Sequence, residues 1–330
     1  VLRTTLVGSY PRVSDRSLPV NLRQMLHQHD RGEIKDFELE RAYQATIARV
    51  VKEQEEAGID LLTDGQIRWD DLLTPLTRQL EGAHAGGLLR WFDNNVYYRH
   101  PVIEGPLRWR GPATVADYRV AAAAATRPVK AVLPGPITYA SLAEDRFYRD
   151  FDRLALAVAG ALHEEALALA AAGAPWIQID EPALGGRPAS VELARTCLQT
   201  ITKGVKTKFA LATYFKPIDG IYPALRTFPV DALQIDVADR PDQLDLVLQN
   251  PPKGDVVLGC VDGRNTRLEE RDRLARLLEG AAEKLGADRL WASPNAGLEF
   301  LPHATAQHKM ARLAEAVAAV NGKPAELEAR

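Results

Sequence analysis

The sequence predicts a (β/α)8 TIM barrel, an α/β fold with an inserted hairpin or loop region between its second and third strands. Three observations point there. Short apolar runs alternate with long amphipathic stretches along the chain, the pattern of a parallel sheet with helical crossovers. There are about eight such runs, the number that closes a barrel. One of them, Trp176-Ile-Gln-Ile-Asp-Glu-Pro-Ala-Leu184, brings a carboxylate pair, Asp180-Glu181, to its carboxyl end before Pro182 stops the strand. Residues just past the strands build the active face of such barrels.

Taken in order, strands are predicted at Thr4–Gly8, Asp60–Thr63, Val129–Leu133, Trp176–Ile179, Lys208–Thr213, Ala232–Val237, Val256–Val261 and Leu290–Ala292. Helices are predicted at Asp36–Ala57, Arg146–Ala172, Val191–Thr202, Pro217–Thr227, Pro241–Gln249, Leu268–Leu285 and Ala304–Val320. Gly58 and Gly173 stand where C-terminal caps belong. No Gly-rich first turn supports an open dinucleotide-binding sheet. The rhythm breaks between Leu73 and Thr126, which is too long for one crossover. Aromatic and amide side chains crowd Trp91–His100 there, and Pro101, Pro106 and Pro112 punctuate the residues after it, as in a hairpin or extended loop. Residues 1–330 are therefore expected to form one barrel with an insertion at about 73–126.

At 46% apolar and 26% charged residues, the composition is that of an ordinary globular chain. A net charge of −3 gives no reason to expect nucleic acid or an anionic membrane surface as partner. Phosphate-binding glycine motifs are missing. Cys197 and Cys260, far apart in apolar company, suit a reducing cytoplasm better than a disulfide framework. Val1–Val7 reads as a short strand rather than a signal peptide. The Ala-rich stretch Leu154–Ala172 carries Glu164 and Glu165 and reads as a packed helix rather than a membrane span. The expectation is a cytoplasmic protein acting on a small molecule.

The residues past each strand supply the candidate site. The first loop gives Gly8-Ser-Tyr-Pro-Arg12, a tight turn whose amides, with Ser9 and Arg12, suit a carboxylate or phosphate. The second gives Asp64 to Asp71, with Gln66 and Arg68, and the third gives Pro134–Thr138. Further loops give Asp180-Glu181, Thr213-Tyr214-Phe215, Asp236, Cys260–Asn265 with Arg264, and Asn295–Glu299. A mouth this rich in acids binds amines, cations or sugars, or tunes proton transfer. Some of the acids are also good helix caps, Asp262 and Asn265 foremost.

Several segments resemble the cobalamin-independent methionine synthase family in order along essentially the whole chain. They are Gly8–Arg12, Trp91–Asn95, Leu133–Thr138, Ile177–Leu184, Thr213–Phe215, Val261–Asn265 and Leu290–Asn295. The resemblance implies a (β/α)8 barrel that moves a methyl group from methyltetrahydrofolate to homocysteine sulfur, with zinc turning the thiol into a thiolate. It also implies that Ser9 holds an amino acid's carboxylate and Asp180 its amino group. The family's second acid for that amino group falls at Gln66, its pterin-stacking Trp near Leu142, and its proposed acid His at Arg264.

The four positions matching the family's zinc ligands are Ala212, Tyr214, Asp236 and Ala296. One oxygen ligand of four remains, so no metal of the family type is expected. His27 and His29 are two apart in a helix and point different ways. Trp91–Asn95, Thr213–Phe215, Phe228–Ala232, Arg240–Leu244 and Val261–Asn265 resemble the zinc-free amino-terminal barrel of the full-length enzymes.

The resemblance therefore implies a methyl (one-carbon) transferase without the family's zinc. It would act on a small thiol or amino-acid-like acceptor, with methyltetrahydrofolate as donor. Asp180, Asp236 and Tyr214 are the candidate catalytic residues. Ser9, Arg12, Gln66, Arg68, Asp71, Arg99, Glu181, Arg264 and Asn295 are the candidate substrate-binding residues. Two alternatives stand beside this: a zinc-free binding subunit partnering a zinc-bearing catalytic barrel, and a metal-free lyase or isomerase.

Overall fold

The computed structural model describes residues 1–12, 21–94 and 96–322. Asn95, the last residue of the Trp91–Asn95 motif, lies outside them. The strands are β1 (Arg3–Thr4), β2 (Leu80–Arg90), β3 (Tyr97–Trp109), β4 (Ala131–Pro134), β5 (Glu144–Asp145), β6 (Trp176–Asp180), β7 (Lys208–Ala212), β8 (Ala232–Asp236), β9 (Asp255–Val261) and β10 (Leu290–Pro294). The helices are α1 (Leu22–Asp30), α2 (Asp36–Glu56), α3 (Thr74–Arg78), α4 (Val115–Ala124), α5 (Pro136–Leu142), α6 (Phe151–Ala171), α7 (Val191–Thr202), α8 (Tyr222–Leu225), α9 (Asp242–Gln249), α10 (Arg271–Leu285) and α11 (His303–Val320).

Seven strands form one parallel sheet in the order β1-β10-β9-β8-β7-β6-β4. Its two edges meet through Leu61 and Leu62, which bridge in parallel to Thr5 and Val129. That short segment is the eighth strand and closes the ring. The predicted barrel is thus the observed fold, and its shortest strand is reduced to two bridges.

Residues alternate along each strand between the helix-facing core and the barrel interior. Ile177, Ile179, Leu211, Leu233, Ile235 and Leu258 join the outer core. Leu61, Trp176, Ala210, Ala232, Val257 and Trp291 pack together as a separate plug across the barrel floor, with Trp176 and Trp291 edge to face at 6.0 Å. Above this plug the interior turns polar. Thr5, Thr63, Lys130, Gln178, Gln234 and Ser293 are all buried. A barrel with a polar middle layer opens at its carboxyl end onto whatever site the loops build.

Residues 74–124 contain α3, the β2–β3 hairpin and α4. The hairpin pairs antiparallel from Leu80↔Trp109 to Arg90↔Tyr97, and β5 joins its far edge. Its end is anchored by Glu165 of α6, whose carboxylate accepts from Trp109 Nε1 (2.9 Å), the Ala113 and Thr114 amides and the Thr114 hydroxyl (2.8 Å). The Ala-rich residues 121–125 close α4, a crossover helix that the sequence pattern alone merges into the excursion.

Two predicted helices are shorter than expected. Arg149 takes a left-handed φ of 50° and Asp150 caps the next turn, so α6 starts at Phe151 rather than Arg146. The segment predicted as Pro217–Thr227 keeps one helical turn, Tyr222–Leu225. By length and composition α6 could cross a bilayer, but Leu154, Val158, Leu162 and Leu169 turn its apolar face into the core.

Candidate active site

The loops at the carboxyl ends of the strands enclose a cavity of about 240 Å³. Its polar wall is made by Ser9, Arg12, Gln66, Asp71, Asp180 and Glu299, joined by the ring of Tyr214. Trp91, Tyr97, Phe215 and Phe300 form an aromatic wall opposite. Drug-sized ligands occupy pockets of about 300–1,000 Å³, so this one suits a metabolite of amino-acid size. A second cavity, of about 270 Å³, lies between the loop after β9 and α10, walled by Leu274 and Leu277. It lacks a fully buried carboxylate such as Asp180.

Asp180 ends β6 and is 2% exposed. Gln178 Nε2 donates to its Oδ1 at 2.6 Å, and the Tyr214 hydroxyl donates to its Oδ2 at 2.9 Å. Burial pushes its carboxyl up to about 6, against these two donors and the nearby Lys130 charge. Tyr214 is driven well above the phenol range by burial and by the adjacent Asp180 carboxylate, so it stays a donor.

The first and last loops are stitched together. The Leu298 amide donates to Ser9 O at 2.9 Å, and the Arg12 guanidinium donates to Trp69 O in the second loop. A Cβ at Gly297 would collide with Ser9 Oγ, so glycine is needed for the Ser9 hydroxyl to stand where it does. Gln66 and Phe215 both adopt left-handed backbone (φ 52° and 69°), as does Phe92 (φ 48°) over the aromatic wall. Such non-glycine strain gathers at ligand sites. Phe215 meets Phe92 at 5.5 Å and Phe300 at 6.3 Å, so loops from three parts of the chain converge on one apolar patch.

Of the predicted residues, Ser9, Arg12, Gln66, Asp71, Asp180 and Tyr214 line this cavity, and the rest do other work. Arg68 turns outward, ion-paired to Glu40 and Asp117 (2.6 Å) and stacked on Tyr43. Arg99 offers only its backbone amide, to Asp71. Glu181 is 1% exposed and accepts from the Ile137 and Thr138 amides and the Thr138 hydroxyl, capping α5. Asp236 sits beside the cavity, not on it, accepting from the Asp239 amide and Asn295 Nδ2. Asn295 also accepts from the Gly263 amide and ties the seventh and eighth barrel loops together. Arg264 lies over the outer side of Phe215, 5.3 Å from the ring, and pairs with Asp239. These six lie off the cavity: five have side chains engaged within the protein, and Arg99 contributes only its backbone amide.

We expect Arg68→Ala to leave ligand affinity within twofold while costing about 3 kcal/mol of stability in a denaturant titration, because it strands the buried Asp117 carboxylate.

Glu299, at the end of the predicted loop Asn295–Glu299 but not among the candidate binding residues, joins the site. It stands in the mouth beside Ser9, Arg12, Asp71 and Asp180. The residue is exposed at the rim, but the walls around its carboxyl raise it above the ordinary range, opposed by the Arg12 charge and a hydrogen bond from Ser9. Its one sequence signal is its place in the loop after the last strand.

The residues at the positions of the family's zinc ligands do not fit the metal. Ala212, Tyr214 and Ala296 pack with Val7 as a small apolar cluster, and Asp236 is already hydrogen-bonded. Among the described residues no group of three His, Cys, Asp or Glu side chains is placed to hold a metal ion.

Fold and site define a closed barrel with a carboxylate-lined, aromatic-walled mouth. The chain belongs to the cobalamin-independent synthase family, whose catalytic-domain profile matches residues 2–320. It is 29% identical over 322 residues to the methionine synthase of Sulfolobus acidocaldarius, covering 94% of this chain and 89% of that one. It is 28% identical over 319 residues to that of Saccharolobus solfataricus, covering 96% and 93%. In fold it is similar to a B12-independent methionine synthase from a Shewanella species, solved in complex with selenomethionine, with a TM-score of 0.83 at 22% identity over 98% of both chains. A methyltransferase from Methanosarcina mazei superposes with a TM-score of 0.66 at 14% identity, covering 97% of this chain and 93% of that one. The chain is a methyltransferase enzyme of the methionine-synthase type.

Proposed function

We propose that this barrel transfers a methyl group from a methyltetrahydrofolate-type donor to an amino-acid thiol, without the family's zinc. One observation carries the reading. The mouth sets the carboxyls of Asp180 and Glu299 among Ser9 and Arg12, while apolar packing fills the ligand positions of the metal. Asp180, steadied by Tyr214, takes the acceptor's ammonium; Ser9 and Arg12 take its carboxylate. A thiol of pKa about 8.5 must lose its proton to attack. Glu299, with a carboxyl raised toward neutrality, is the base best matched to it. The sulfur then bonds to the methyl carbon as the methyl–nitrogen bond of the donor breaks. The proton lost by the thiol ends on that nitrogen, so the exchange balances.

The aromatic wall of Trp91, Phe215 and Phe300 suits the flat ring of the donor. The mouth is complete within this one barrel, which supports turnover by the isolated chain over a role as binding subunit to a zinc-bearing partner. The test is calorimetric titration with L-methionine, together with turnover of homocysteine and methyltetrahydrofolate by the purified chain. Neither binding nor turnover would end this reading.

The pH dependence comes from Asp180, whose carboxyl stands near 6. Protonation removes the charge that the ammonium needs. Affinity for L-methionine should therefore hold above about pH 6 and fall roughly tenfold for each unit below it. An affinity flat down to pH 4 would place the ammonium elsewhere.

A further inference from the structure

Beneath the cavity, the barrel interior contains a lysine that this chemistry does not use. Lys130 is 3% exposed, and its Nζ donates to Gln178 Oε1 at 2.6 Å, its one side-chain hydrogen bond among the described residues. Gln178 is 1% exposed and has both amide protons engaged, one on Val7 O at 2.7 Å and one on Asp180 Oδ1 at 2.6 Å. A glutamine amide can turn either its oxygen or its NH2 toward a neighbour. With Lys130 opposite Oε1 and Val7 O opposite the NH2, only one orientation satisfies every atom, and it gives Asp180 a donor. The reverse would set the amide oxygen against the carboxylate and aim its NH2 at the ammonium.

We propose that Lys130 is a positioning residue, acting through Gln178 to keep the Asp180 carboxylate charged, held and presented to the cavity. Its use in binding an amino acid rests on the reading of Asp180 given above. A buried ammonium with one neutral partner is costly, and a hydrocarbon side chain would fill a barrel interior without that cost. The electrostatics agree with the geometry. Burial lowers the Lys130 ammonium to about 7, and the Asp180 charge pulls it back up. The same charge coupling lowers Asp180. The Asp180 charge in turn raises the nearby Glu181 and Glu299 carboxyls, which are still protonated when Asp180 ionises. Losing Lys130 removes the cation that favours the Asp180 carboxylate, so its loss leaves Asp180 harder to ionise.

The experiment tracks the Asp180 carboxyl itself by carbon NMR of aspartate-labelled full-length chain, the resonance being assigned by its absence in Asp180→Asn. In Lys130→Met and in Gln178→Met the Asp180 midpoint should rise by about one unit, a tenfold change in proton affinity. The double variant should show about the larger single shift, since both act through one relay. A simple packing role would leave the midpoint where it is. An unmoved midpoint in the folded single variants, or fully additive shifts, overturns the proposal. If Lys130→Met does not fold, Lys130→Gln, uncharged but still a donor toward Gln178, is read by the same criterion. If the unaltered chain fails to bind L-methionine but the midpoint still moves, the functional reading falls and the role of Lys130 stands.

Discussion

Asp180→Asn should weaken L-methionine binding about a hundredfold or more and remove measurable methyl transfer, with the fold intact. Asn matches Asp in shape. Its oxygen can still accept from Gln178, and its NH2 can face the Tyr214 oxygen, so the hydrogen bonds that hold position 180 survive in altered form. What disappears is the negative charge in a water-poor mouth. Truncating one partner of a buried, hydrogen-bonded charge pair costs about 2–5 kcal/mol, which is about 30-fold to several thousandfold in affinity. Tyr214→Phe removes one donor and keeps the charge, so its effect should be only severalfold. Calorimetric titration and turnover, beside a melting curve for each variant, check the pair. An Asp180→Asn chain that binds and turns over normally would remove this residue from the site.

The largest stability effect is expected far from the mouth. Glu165→Ala should cost about 3–5 kcal/mol, enough to unfold a marginal domain. The Glu165 side chain is fully buried in α6 and accepts from the Trp109 indole, two backbone amides and the Thr114 hydroxyl. Removing it leaves four donors unpaired, the two of Thr114 fully buried, and frees the hairpin's last strand and the start of α4 together. Glu165→Gln keeps one oxygen and should lose about half as much. A denaturant midpoint in Glu165→Ala close to that of the unaltered chain would show that the hairpin holds by its other contacts.

The barrel was legible because its strands are buried on both faces and so read as short, mainly apolar runs. Asp180 was legible for the same reason: the run Trp176–Ile179 ends on it. The second barrel strand was the faintest, since Leu61 and Leu62 pair by isolated bridges. Helix α4 was hidden because its alanines carry little amphipathic contrast. At the site, a position past a strand does not say which way a side chain turns. Glu181 and Asp180 are neighbours in sequence, yet one caps α5 and the other faces the cavity. Arg68 comes after the same strand as Gln66, but Glu40 and Asp117 draw it outward. Partners distant in sequence decide these directions, and Glu299 enters the site only because the last loop folds back over Ser9. Lys130 gave no signal, because one lysine in an apolar strand reads as an edge or an exposed end.

Metal analysis and turnover on one sample test the central claim most directly. The purified chain would be assayed with homocysteine and methyltetrahydrofolate before and after exhaustive chelation, and its zinc measured. Carboxylate-driven transfer predicts zinc far below one equivalent and a rate that chelation leaves unchanged. One equivalent of zinc, with activity lost to the chelator and restored by zinc, would contradict it and place the metal on ligands other than Ala212, Tyr214 and Ala296.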